Sequence, residues 1–298
     1  MNFMEEPQVV YAEPDFAVVL KPAGWLTHPA RRAENGTQNT EHRAQSTEHG
    51  TRNTEHRAQS TEHGTQNTEH GARLPAGRQG AGSAEHRTQS KNGGEISGEV
   101  NKEPTLTAWL TRKYPEVKTV GDDPAWRPGI VHRLDRDTAG LLIIPRSQAS
   151  FEYFKDLFQR RQITKTYFAV VRGIAPARGV IDRPIGVTGT VKRSVRAEKF
   201  VKPAVTRYRL LASLVVSGEP ASLLEVRPET GRTHQIRVHL AAIAHPVVGD
   251  KLYGRRKKSP LTSAKLLLFA AGLEFVSPHG RKLRIEAAPP DFFPKAEF

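Results

Sequence analysis

The chain has 298 residues, 37% of them hydrophobic, and a formal net charge of +14. That length suggests one large domain or two small ones with a sizeable core. The absence of cysteine excludes disulfides and thiolate metal sites.

No apolar run approaches the ~20 residues that span a bilayer, and residues 1–11 are polar and acidic rather than signal-like. A cytoplasmic protein without membrane association, acting as a monomer, is the expectation. The excess of positive charge favours a polyanionic partner, because Lys and Arg displace counterions from phosphates.

In chain order, Gln8–Leu20 is rich in β-formers, and Lys21-Pro22-Ala23-Gly24 ends it with turn chemistry. Residues 31–100 are of another kind. Thr37–Gly50 reads TQNTEHRAQSTEHG and Thr51–Gly64 reads TRNTEHRAQSTEHG, with a third copy starting at Thr65. The only apolar side chains larger than alanine there are Leu74, Ile96 and Val100. Such a segment cannot bury enough surface to offset its ordering entropy, so it is expected to be a disordered low-complexity insertion. Its regular histidines have no scaffold to fix a ligand geometry, and a tolerated sequence duplication accounts for them. It carries nine basic and nine acidic residues, so the whole +14 belongs to the parts that fold, 1–30 and 101–298.

After the insertion, Thr105–Lys113 reads as a short helix and Gly140–Ile144 as a buried strand. Ser147–Arg160 reads as a helix capped by Ser147, with Phe151, Phe154 and Phe158 on one face. Lys165–Val171, Val205–Val216 and Ala221–Val226 read as strands. Thr233–Ala244 reads as a helix capped by Thr233, with Ile236, Leu240 and Ile243 as its buried stripe. Leu266–Ala270, Glu274–Val276 and Lys282–Ala287 read as short closing strands. Strands outnumber helices without regular alternation, which indicates an α+β fold with a mixed, mostly antiparallel sheet and flanking helices.

Three segments could carry chemistry. In GIVHRLDRDTAGLLIIP (129–145) a charged turn sits at the mouth of a buried strand, where charges are costly unless paired or used. If residues 132–135 are extended, Arg133 and Asp135 share one face and His132 and Leu134 the other. An arginine beside a carboxylate keeps it ionised, as a nucleophile or general base requires. A structural Arg–Asp pair would read the same way.

In RPETGRTHQIRVHLAAIAHPVVGD (227–250), Arg232, His234 and Arg237 cluster near a helix N-terminus, which suits an anion. Arg237 flanks the apolar stripe and can reach an adjoining cleft to pair with a carboxylate. In Lys165-Thr166-Tyr167, a strand would put Tyr167 on one face with Ala169 and Val171, able to stack on a base or transfer a proton. Taken alone, it would equally serve as a core tyrosine. No P-loop, GxGxxG turn, HExxH site or GxSxG elbow occurs, so no cofactor and no metal is expected.

Taken together, these segments resemble the RluA-type RNA pseudouridine synthase family. YAEPDFAVVLKPAGWLTHP is similar to its first strand and turn, and GIVHRLDRDTAGLLI to its catalytic motif. KTYFAVVRG resembles its tyrosine-bearing strand, and ETGRTHQIRVHLAAIAHPVVGDKLYG its arginine motif. LLLFAAGLEFVSPHGRKLRIEAAPPDFF resembles its closing strands. The resemblance implies the pseudouridine synthase fold with a central catalytic cleft, and activity on ribosomal or transfer RNA without a cofactor. It makes Asp135 the catalytic carboxylate, with Tyr167 and Arg237 as its partners. Arg133 becomes the residue that replaces a flipped-out uridine. His132, Arg232 and His234 remain candidate substrate-binding residues.

Ala139 stands where the family often has serine, and Phe269 where histidine is common. The chain begins directly at the first motif, so no appended S4 RNA-binding domain is expected. Two rival readings are a degenerate RNA-binding module, and a nuclease or glycosidase pairing Asp135 with Asp137.

Overall fold

In the computed structural model, residues 5–29, 103–188, 192–254 and 265–294 are described. They all fall in one unit, Met1–Arg31 with Asn101–Phe298. The expected disordered insertion, 31–100, lies outside the described residues.

The β-rich N-terminal run is two strands, β1 (Gln8–Ala12) and β2 (Phe16–Lys21), paired as an antiparallel hairpin. β2 pairs with β3 (Ala139–Pro145), whose seven residues are all buried, as its unbroken apolar run demands. Between them in sequence lies α1 (Leu106–Lys113), capped by Thr105. α2 (Gln148–Gln159) starts at a capping box in which Ser147 and Ser150 each accept the other's amide. Its buried face is Phe151, Phe154 and Leu157; Phe158 lies only half-buried beside them.

Then follow β4 (Thr164–Arg172), β5 (Arg178–Asp182), β9 (Val205–Val216), β10 (Glu219–Pro228), β11 (Leu268–Val276) and β12 (Lys282–Glu286). The order across the sheet is β1-β2-β3-β11-β4-β10-β9-β5, and β12 shares with β3 one edge of β11. All pairings are antiparallel except β3 with β11. The sheet is therefore mixed and mostly antiparallel, and the fold class is α+β as expected. Gly140 makes the parallel pairing possible: its φ is +134°, and a Cβ there would collide with the Ala270 backbone.

Three local expectations are corrected. Leu266–Ala270 and Glu274–Val276 fall on one continuous strand, β11, because after a register shift at Ala271 the pairing resumes, Gly272 with Thr166 of β4 and with Glu286 of β12. A second sheet of β7 (Lys192–Ser194), β6 (Ile185–Thr188) and β8 (Lys199–Lys202) was not anticipated.

The third correction concerns α3, which runs Gln235–Ala242 with His234, not Thr233, at its N-cap. Its opening turn is organised from inside. Gln235 Oε1 accepts from Thr230 Oγ1 (2.6 Å) and the Arg232 amide (3.0 Å), while its Nε2 donates to Val205 O and Thr206 Oγ1. Residues 235–240 are all buried, so α3 is enclosed rather than amphipathic. Ile243 lies beyond its end, where Ala244 turns left-handed (φ +67°).

Candidate active site

The sequence 132–135 is not a strand: His132 is half-buried, Arg133 exposed, Leu134 buried and Asp135 half-buried. Two sets of bonds hold this loop. On one side stands the turn after β2. Lys21 is fully buried, and its Nζ donates to the carbonyls of Pro22 (2.9 Å), Trp25 (2.9 Å) and Arg136 (3.0 Å). Three acceptors match the three donors of an ammonium group. Burial nevertheless pulls Lys21 down to about 7, against the attraction of Asp137 and Asp135. Gly24 N also donates to Arg136 O, and Thr27 Oγ1 bonds both the carbonyl and the amide of Leu134.

On the other side stands α3. Arg237 Nη1 donates to Asp135 Oδ2 at 2.9 Å. The rest of its guanidinium is spent on Asp250, through Nε to Oδ2 (2.7 Å) and Nη2 to Oδ1 (3.0 Å). Asp250 Oδ1 accepts further from the amides of Leu252 and Tyr253, both at 2.9 Å. Burial pushes the Asp250 carboxyl up, but Arg237 and the two amides outweigh it and hold it below its ordinary value. For Arg237 too, burial opposes the charge and the two carboxylates prevail, raising it. Asp250 is thus a fixed counter-ion that aims Arg237 at Asp135. The sequence reading passed over it, and only its place sixteen residues after the Arg232–Arg237 cluster's His234 hinted at it.

Local spacing offers Arg133 as a partner for Asp135, and the family resemblance offers Arg237; the hydrogen bond to Asp135 comes from Arg237, and Arg133 instead donates from Nη1 to His28 Nε2 at 3.0 Å. His28 Nδ1 bonds Pro29 O at 2.9 Å, which makes Nε2 the acceptor. Burial, foremost, lowers the His28 imidazole, consistent with this neutral tautomer.

His132 takes a task other than an open substrate contact. Its Nε2 accepts from the Ile143 amide (2.8 Å) and its ring packs on Phe158 at 4.5 Å between centroids. Burial drives it down to about 3, so it stays neutral. Arg232 is partly committed, with Nε on Pro203 O at 3.0 Å. Tyr167 lies on β4, opposite Ala270 and Val226, and packs against apolar clusters on both sides. Burial, and then the charge of Asp135, raises its phenol.

Asp135, Tyr167, Arg237, Arg133, His132, Arg232 and His234 all line one cleft of about 490 Å³, a size common for ligand sites. Thr138 lines it as well, its hydroxyl buried and without a hydrogen-bond partner among the described residues. Asp137 does not line it and pairs with Arg136 at 3.7 Å, so the cleft lacks the Asp135–Asp137 pair that the nuclease or glycosidase reading needs.

A strand-borne tyrosine and a buried arginine thus converge on a loop aspartate at one cleft of a mixed sheet. Two solved structures share the fold, the human RNA pseudouridylate synthase domain containing 1 and 4 proteins. Their TM-scores are 0.61 and 0.57 at 21% and 20% identity, over 97% and 96% of this chain and 86% and 89% of theirs.

The model of the family described as RNA pseudouridylate synthase matches residues 111–242. An uncharacterized RNA pseudouridine synthase of Chloroflexus aurantiacus is 43% identical over 185 residues, 62% of this chain and 56% of that protein. The ribosomal large subunit pseudouridine synthase D of Escherichia coli K12 is 40% identical over 163 residues, 55% of this chain and 47% of that protein. The chain spans about half the length of the curated relatives it matches. Among the described residues no helix is long and apolar enough to cross a membrane.

Proposed function

We propose that the chain is an RNA pseudouridine synthase that isomerises uridines of ribosomal RNA, with Asp135 as its catalytic carboxylate. The observation that carries this reading is the single hydrogen bond from Arg237 to Asp135 Oδ2, in a cleft shared with Tyr167. No hydrogen bond to Asp135 Oδ1 is found among the described residues, so that oxygen is the one available to a ligand.

The isomerisation breaks the C1′–N1 bond and forms C1′–C5. The C5 proton is lost and N1 gains one, so nothing is oxidised and no group leaves the nucleotide. A carboxylate can promote cleavage by attacking C1′ or by taking the 2′ proton. Tyr167 offers an aromatic face for the freed base. The uridine must first leave its stack, at a cost of a few kcal/mol. Arg133, exposed at the cleft, is suited to fill the gap once it leaves His28. The net +14 supplies the attraction to phosphate.

The test is conversion of uridine to pseudouridine in a ribosomal RNA transcript, mapped by chemical labelling and primer extension. Wild type should convert a defined site, and Asp135→Asn should convert none while still retarding the RNA on a gel. Turnover by Asp135→Asn would overturn the assignment.

A further inference from the structure

A second chain of contacts, through Tyr253 and His234, approaches the same aspartate. It begins in the small sheet. The Arg193 amide of β7 donates to Tyr253 Oη at 3.1 Å, occupying a lone pair of that oxygen. Tyr253 Oη is also 2.9 Å from His234 Nδ1, close enough to give the phenolic proton to the imidazole. With Nδ1 as the acceptor, the ring proton sits on Nε2. That nitrogen lies 3.8 Å from Asp135 Oδ2.

His234 is held there at some cost. Its φ is +57°, a left-handed conformation that a side chain with a Cβ adopts only when its surroundings impose it. Its ring meets Tyr253 edge-on at 5.7 Å, and the Arg237 guanidinium lies 5.2 Å over that same tyrosine. Tyr253 itself packs with Ile185, Ala204 and Val238, between the small sheet and α3.

We propose that His234 is a positioning residue for Asp135: its neutral imidazole presents Nε2–H to Oδ2, and Tyr253 sets the tautomer that makes this possible. With RNA in the cleft the 3.8 Å gap closes to a hydrogen bond. Oδ2 then receives two donors, Arg237 Nη1 and His234 Nε2, and the carboxylate can no longer rotate about Cβ–Cγ. Oδ1 is left facing the sugar.

The charges around His234 fit a neutral ring. Burial is the largest influence and lowers it; Asp135 and Asp250 favour the proton, and Arg237 and Arg193 oppose it. A cationic His234 gripping phosphate is not what this arrangement provides.

The inference rests on the proposed isomerisation, so its test has an arm that needs no turnover. In the ¹⁵N spectrum of the full chain, His234 should show the Nε2–H tautomer, and Tyr253→Phe should shift it toward a mixture. The kinetic arm uses two amides: the glutamine nitrogen falls near Nε2 of the imidazole, the asparagine nitrogen near Nδ1. His234→Asn should lower kcat about ten- to thirty-fold with KM for RNA unchanged, the loss expected for one hydrogen bond to a charged group. His234→Gln should stay within about threefold of wild type on the same reasoning. A wild-type Nδ1–H tautomer, or rescue by asparagine and not glutamine, would overturn the inference. A wild type that makes no pseudouridine would instead overturn the function, and the positioning role with it.

Discussion

Arginine–carboxylate pairs occur in two regions of this molecule on opposite terms. Along β9 and β10, Arg207 pairs with Glu229, Arg209 with Glu225 at 3.0 Å, and Arg227 with Glu225 at 3.1 Å. These arginine side chains are 50–63% exposed. At the cleft, Arg237 is 10% exposed and Asp250 not at all. Water solvates the exposed arginines whether or not their partners are present. At the cleft nothing replaces a lost partner, so Asp250's oxygens are filled by the guanidinium and two amides. The ladder on the sheet is a surface arrangement; the pair behind Asp135 is a fixed part whose geometry is set before any ligand arrives.

The sharpest way to break that contrast is Asp250→Ala. It strands a buried guanidinium and should cost about 3–5 kcal/mol of stability. Equilibrium urea unfolding measures it, and a loss below about 1 kcal/mol would put the cleft pair on the same footing as the exposed ones. Next comes Arg237→Lys, which keeps the charge but has no fork to serve Asp250 and Asp135 together. Turnover should fall about 100-fold with the fold intact, because a misdirected Asp135 is a misplaced reactant. Circular dichroism beside single-turnover kinetics separates the two effects, and an unchanged rate would show that the bidentate geometry is not needed.

The legible and illegible parts of the sequence divide along a physical line. β3 was readable because an unbroken apolar run has only a buried strand or helix as its solution, and the flanking charges excluded a long helix. α2 was readable from Ser147 and the phenylalanine spacing, and β9 from its length and β-branched content. The strands β5 to β8 were not, because residues 178–202 are largely polar and Ile181 and Ile185 are their only fully buried large apolar side chains.

At the site, local spacing and the family resemblance pointed to different arginines, and the contact follows the resemblance. Arg133 stands two residues from Asp135 but bonds His28, 105 residues away, while the guanidinium on Asp135 comes from 102 residues further along. Spacing along a chain reveals faces of one element. It does not reveal which side chain of another element is aimed there, so Asp250 and Tyr253 passed unnoticed in the stretch PVVGDKLYG.

His132 sharpens the comparison from the side of an uncharged anchor. Its pKa falls from 6.5 to about 3 on folding because burial disfavours the cation. Between those values the unfolded chain binds a proton that the folded chain refuses, so stability falls as pH falls through that window. The loss begins below pH 6.5 and reaches roughly 3–5 kcal/mol near pH 3. His132→Gln can still accept from Ile143 N but cannot titrate. The stability of the variant, followed by urea unfolding from pH 7 to pH 4, should decline less than that of wild type. Parallel declines would mean that the ring protonates in place.

The smallest effect belongs to the exposed ladder. Removing Glu229's charge with Glu229→Gln leaves Arg207 on the surface, free to be hydrated, and nothing buried loses a partner. The pair's attraction is shared with salt and opposed by the entropy of holding two long side chains together. The expected change is within about 0.5 kcal/mol, vanishing by 0.5 M salt as the Debye length shrinks. RNA binding is the more sensitive probe. If this face of the sheet meets phosphate, Glu229→Gln should tighten binding by adding one unit of positive potential, and Arg207→Gln should weaken it with a shallower salt dependence. If binding is unmoved by both substitutions, the ladder lies outside the RNA footprint. The electrostatic attraction of the chain would then reside on the cleft side, where Arg133 and Arg232 stand.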